Sequence, residues 1–107
     1  MITRRSWKPM AVLSLVTALA LAGCAVKPSY EASLIRDADR GSVRDCEFVV
    51  SVSGSSGVGN MMASTGIENA KVEAREQAAD SGATHIVWTS VQGGYAPNVA
   101  GSAYNCD

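Results

Sequence analysis

Three cysteines, one histidine and one glycine-rich loop are the places where this chain could do chemistry. The loop is "GSSGVGNM", Gly54 to Met61, set between the apolar run Cys46 to Val52 and a segment that reads as a helix. A phosphate-binding loop has the form GxxxxGK followed by Ser or Thr, with the lysine on the β- and γ-phosphates and the hydroxyl on Mg²⁺. The spacing of Gly54 and Gly59 fits, but Asn60 and Met61 stand at the lysine and hydroxyl positions. Lacking both groups, the loop is expected to be a mobile linker that binds no nucleotide, with Gly and Ser giving the chain freedom at small steric cost. His85 is the only histidine. A Ser/His/Asp arrangement or a zinc site would have to be built around this one imidazole, with partners the sequence does not place. Glu73, Glu76 and Asp80 fall in the helical segment and read as a solvated face rather than an acid/base pair. No catalytic residue, metal ligand or cofactor is expected.

The first cysteine has a different context. Arg4, Arg5 and Lys8 form a basic start, and "MAVLSLVTALALAG", Met10 to Gly23, follows without a charge. That is the order of a secretory signal, and the run is shorter than the roughly 20 apolar residues a spanning helix needs. It ends in "LAGC", Leu21 to Cys24, which matches the bacterial lipoprotein signal, where a diacylglycerol is attached to the Cys thiol before cleavage on its amino side. Residues 1–23 are therefore expected to be a signal peptide and Cys24 the lipidated residue. "TRRSWK", Thr3 to Lys8, also resembles a twin-arginine export signal, so the export route stays open. Loss of Arg4, Arg5 and Lys8 with the leader leaves six basic against ten acidic residues, a formal charge of −4. Such a surface attracts neither nucleic acid nor anionic headgroups. Attachment to a membrane then rests on the acyl chains, at about 0.8 kcal/mol per buried methylene.

The remaining residues, 24–107, have room for one small domain. Residues 24–45 are polar and broken, with Pro28, Gly41 and "IRDADRGSVRD". They read as the lipidated Cys and a tether, with a short edge strand around Leu34 to Arg36. The domain, residues 46–107, opens on "CEFVVSVS", where Cys46, Phe48, Val50 and Val52 alternate with Glu47, Val49, Ser51 and Ser53, a period of two that predicts a strand. In "TGIENAKVEAREQAADSGA", Thr65 and Glu68 have capping-box spacing and Gly82 stands at a helix C-cap. Ile67, Ala70, Ala74 and Ala78 share one side of that helix, a face small enough for its backbone to lie close on a sheet. "THIVWTSV", Thr84 to Val91, predicts a second strand with Ile86 and Trp88 on one face and His85, Val87, Thr89 and Val91 on the other. After the turn signals of Gln92 to Asn98, "VAGSAYNC" predicts a third strand ending at Cys106. Strand, helix and strand imply a parallel crossover, and the hairpin adds an antiparallel strand. The expected class is α+β, one helix packed on a three- to four-stranded mixed sheet in the order β-α-β-β.

This topology tests the other two cysteines. The first two strands run one way and the third runs back, so Cys46 at the start of the first and Cys106 at the end of the third lie at one end of the sheet. Two thiols in an exported, oxidising compartment usually pair. A disulfide over a loop of about 60 residues is worth on the order of 4 kcal/mol, comparable to what the core of so small a domain supplies. The alternative is a redox pair, against which the lack of CxxC spacing counts.

"CEFVVSVSG", "REQAADSGATHIVW" and "GSAYNC" resemble small bacterial lipoproteins built on a single domain to which no reaction is assigned. The strand-helix-strand-strand order is similar to that of the stress-sensing outer-membrane lipoproteins of the Rcs phosphorelay. The resemblance covers Cys46 to Cys106, and it implies a fold and a place in the cell envelope but no activity. Ala25 rather than Asp after Cys24 points to the outer membrane, facing the periplasm, with the inner membrane or the cell surface as alternatives. Two function classes follow from the residues. One is a non-catalytic binding, sensor or structural module with an envelope protein as partner. The other is a minor envelope enzyme such as a thiol-disulfide oxidoreductase.

Overall fold

The computed structural model of the protein describes residues 26–57 and 63–107. The elements run α1 (Tyr30–Ser33), β1 (Arg36–Asp37), β2 (Glu47–Ser55), α2 (Ala63–Asp80), β3 (His85–Gln92) and β4 (Asn98–Asn105). The four strands form one sheet in the order β1-β3-β4-β2. β4 is antiparallel to both neighbours, and β1 is parallel to β3. β2 and β3, joined through α2, therefore run in the same direction with β4 inserted between them. This is the expected α+β arrangement of one main helix on a mixed sheet, and Cys46 and Cys106 are joined in a disulfide with their Cα atoms 4.5 Å apart.

The core is thin because its side chains are small. Ala70, Ala74 and Ala78 on α2 are fully buried, as are Ile86 and Ala103 on the sheet, and Val52 and Val99 nearly so. Without side chains beyond Cβ, the helix can sit close on β2, and Gly54 completes the contact. A Cβ built at Gly54 would lie 1.9 Å from the Ala70 carbonyl oxygen. Gly54 thus belongs to β2 and to the core, not to a linker, a departure from expectation set by tertiary packing. Of the rest of that loop, residues 58–62 lie outside the described residues.

The helix also begins earlier than its capping-box spacing suggests, since Ala63 and Ser64 are already helical and Thr65 lies within the first turn. Its C-terminus follows the sequence reading. Gly82 has φ +81, its N–H bonds the Ala79 carbonyl, and the Ala83 N–H bonds the Ala78 carbonyl at 3.0 Å, the pattern of a glycine-terminated helix.

Two sheet irregularities reverse the expected facing of side chains. The register of β2 on β4 shifts between Phe48 and Val50, so Val50 stands opposite Ala103 on the helix side while Phe48 pairs with Tyr104 on the other. There the two rings meet edge to face, 5.8 Å apart. The shift on β3 between Trp88 and Ser90 likewise puts Val91 opposite Val99, on the face of Ile86 and Trp88. One extra residue changes the parity of everything after it.

Residues 26–45, expected as a tether, pack on the domain. Ala32 is fully buried, and Ile35 and Val43 nearly so. The edge strand lies at Arg36–Asp37, overlapping the expected Leu34 to Arg36 at Arg36. Because β1 and β2 occupy opposite edges of the sheet, the connection between them has to carry the chain across it. Ser42 gives its N–H and its hydroxyl to one Asp39 carboxylate oxygen at 2.8 and 2.6 Å, tightening the turn that makes this crossing.

Candidate functional site around Trp88, Asp37 and the groove at His85

Trp88 and Asp37 meet because β1 and β3 are neighbours and both side chains face the helix. The indole Nε1–H donates to Asp37 Oδ1 at 3.0 Å. Arg75, on the overlying turn of α2, gives Nη2 to both oxygens of the same carboxylate at 3.0 and 3.3 Å. Lys71, one turn earlier, places Nζ 5.4 Å from the Trp88 ring centroid, and the Arg75 guanidinium carbon lies 5.7 Å from it, both within cation–π reach. Spacing of four on the helix stacks the two cations over one indole. Partial burial alone would raise the Asp37 pKa. The hydrogen bonds from Trp88 and Arg75, with the charges of Arg75 and Lys71, overcome this and hold it below its ordinary 3.8. The Asp37 side chain is still 52% exposed and Arg75 19%. The cluster therefore binds its carboxylate as a clamp between the edge strand and the helix.

His85 starts β3 and is half-buried. Its Nδ1 lies 2.7 Å from Thr84 Oγ1, an oxygen that also accepts the Cys106 N–H at 3.0 Å and lies 3.3 Å from the Tyr104 carbonyl. The Thr84 hydroxyl is thus fully engaged in tying β3 to the end of β4 beside the disulfide. His85 and Thr84 line an open groove of about 540 Å³ together with Glu31, Leu34, Arg36 and Asp107.

Of the helix carboxylates, Glu73 and Asp80 are exposed, as the sequence reading has it, and Glu76 is half-buried. Glu76 accepts the Ser29 N–H at 2.8 Å and the Ser29 hydroxyl at 2.9 Å, while that hydroxyl oxygen accepts the Ala32 N–H and caps α1. Glu73 accepts the Ser55 N–H at 3.2 Å, and among the described residues Asp80 makes no bond of this kind. Gln77 between them bonds both backbone groups of Ser53, accepting its N–H at 3.1 Å and donating to its carbonyl at 2.8 Å. Glu73 and Gln77 substitute for a missing neighbour strand on the outer edge of β2.

Of the residues singled out in the sequence, the structure brings Cys46 and Cys106 together and places His85 beside Thr84. Cys24 lies outside the described residues. Among the described residues, no group of three or more His, Cys, Asp or Glu is placed to hold a metal ion, and no helix is long and apolar enough to cross a membrane. The Asp37–Arg75–Trp88 cluster was not anticipated. Lys71 and Arg75 at helical spacing, with a lone Trp on the following strand, were its only sequence signal. Compared with protein-family models, curated proteins and solved structures, the chain matches none.

Proposed function

We propose that the protein is a lipid-anchored cell-envelope protein, held through Cys24 in the outer membrane and facing the periplasm, where its domain acts as a non-catalytic binding or sensor module. The observation that carries this reading is the Cys46–Cys106 disulfide, a bond that persists in oxidising compartments, in a small domain that follows "LAGC". The roles of the polar side chains support the non-catalytic part. Thr84 closes the strand ends, Asp37 clamps β1, and Glu73, Glu76 and Gln77 bond backbone that would otherwise be open. The likeness to small envelope lipoproteins seen in "CEFVVSVSG" and "GSAYNC" agrees with it. Metabolic labelling with a fatty acid, followed by intact-mass measurement, tests the anchor. Label should enter the wild-type protein and be absent from Cys24→Ala, which should accumulate as precursor or leave the membrane. Equal labelling of both would overturn the assignment, whereas label confined to the wild type would establish the anchored form in which crosslinking in intact cells identifies the partner.

A further inference from the structure

At one end of the domain, among the described residues, the β3–β4 turn and the first turn of α2 carry no charged side chain, and the nearest charge on the N-terminal segment is the basic Lys27. Residues 48–67 and 86–106 contain no Asp, Glu, Lys or Arg, and these two stretches include β2 after Glu47, the first turn of α2 and the hairpin after His85. They are joined at that end, since Ser56 donates its N–H to the Pro97 carbonyl at 3.0 Å. Pro97 is fully buried while Tyr95 beside it is 82% exposed and Val91 47%. All ten acidic residues lie elsewhere, in 27–47, in 68–80 or at Asp107.

The N-terminal segment leads to the same end. Ser29 is bonded to Glu76 and the Val26 N–H to Asn69 Oδ1 at 3.0 Å. Going back from Ser29 to Val26, the chain therefore climbs α2 by seven helical residues, about 10 Å at 1.5 Å per residue, toward the helix start. Only Ala25 separates Val26 from Cys24, and the two residue steps reach at most about 7 Å. A lipid on Cys24 cannot be far from the uncharged end.

We infer that this end, with Tyr95 at its tip, rests on the bilayer to which Cys24 is anchored, so that the disulfide end and the His85 groove face away from the membrane. The inference depends on the lipid anchor proposed above. An uncharged surface approaches headgroups without the cost of desolvating ions, and tyrosine, with an apolar ring and a polar tip, suits the membrane–water boundary. The acidic remainder of the domain is repelled by anionic lipid, which favours the same orientation.

The test uses lipidated full-length protein purified from membranes and reconstituted in vesicles of phosphatidylethanolamine and phosphatidylglycerol, with or without lipid brominated high on the acyl chain. Three forms are compared: wild type, whose mature chain has Trp88 alone, Tyr95→Trp at the uncharged end, and Asp45→Trp beside the disulfide. Both substituted positions are exposed, so folding is undisturbed. Bromine should lower the added emission of Tyr95→Trp about twofold, as for a ring at the headgroup and acyl boundary, and leave Asp45→Trp and wild type nearly unchanged. Absent quenching of Tyr95→Trp, or equal quenching of Asp45→Trp, in protein whose mass shows the acyl chains overturns the orientation and leaves the anchor standing. Protein whose mass shows no acyl group on Cys24 overturns the anchor and the orientation together.

Discussion

Replacing a hydrogen of Gly54 by a methyl group puts a carbon 1.9 Å from the Ala70 carbonyl oxygen, a clash that only movement of helix or strand can relieve. Gly54→Ala is expected to cost about 3 kcal/mol, the upper part of the range for overpacking, read as a lower urea midpoint. Gly57→Ala, three residues on, is the matched control. A Cβ there meets nothing within 4 Å, so it should be neutral or stabilising by up to about 1 kcal/mol through the unfolded chain. Composition alone makes these two glycines equivalent, and the difference arises from a helix that comes in from elsewhere in the chain. Asp37 offers a second test through pH. Its pKa lies below 3.8 in the folded protein, so the bond to Arg75 contributes stability that is complete above that ordinary value and is lost as pH falls through the lower folded value. Asp37→Asn should therefore destabilise by roughly 0.5 kcal/mol at neutral pH, a figure kept small by solvent screening of a half-exposed pair. The gap between variant and wild type should close when urea melts are repeated well below the ordinary carboxylate range.

At the level of elements, β2 and β1 are the two edges of the sheet, and each is protected by side chains of α2. Gln77 and Glu73 bond the outer backbone of β2, which removes a template for pairing with another chain. Gln77→Ala should cost about 1 kcal/mol for its two bonds. It should also raise light scattering during thermal unfolding at protein concentrations where the wild type stays clear. The main elements were legible from sequence because each has a period: alternation in Val50 to Ser53 and Thr84 to Trp88, and alanines every fourth residue on the helix. The stretch from Ser29 to Val43 was not, because a one-turn helix and a two-residue strand are too short to show a period. α1 is capped by a serine held from Glu76, 47 residues away. The facing of Phe48 and Val91 was misread for a related reason, since a register shift depends on the partner strand. Of the candidate site, the disulfide was legible because strand direction alone places Cys46 and Cys106 at one end. Asp37 and Trp88, 51 residues apart, carry no local mark of their pairing.

For the whole molecule, the disulfide closes a loop of 60 residues that contains β2, α2, β3 and β4. The double variant Cys46→Ser, Cys106→Ser should lose about 2–5 kcal/mol, which for a domain of this size lowers the thermal midpoint by roughly 10 °C or more. Loss of the same order on reducing the wild type would assign the effect to the bond rather than to the serines. The closed loop also changes what happens when the protein is pulled. Tension between Val26 and Asp107 passes through the sulfur bridge and bypasses nearly all of the domain. Only residues 26–46 can pay out, about 70 Å of chain, where an open chain would yield about 280 Å. As a mechanical element the protein is thus a short strap sewn to a stitched bead. A pull along this line first peels Val26 from Asn69 and Ser29 from Glu76, then frees β1 from Trp88 and Arg75. The bead is left whole, and the strap can lie down again when the load is gone.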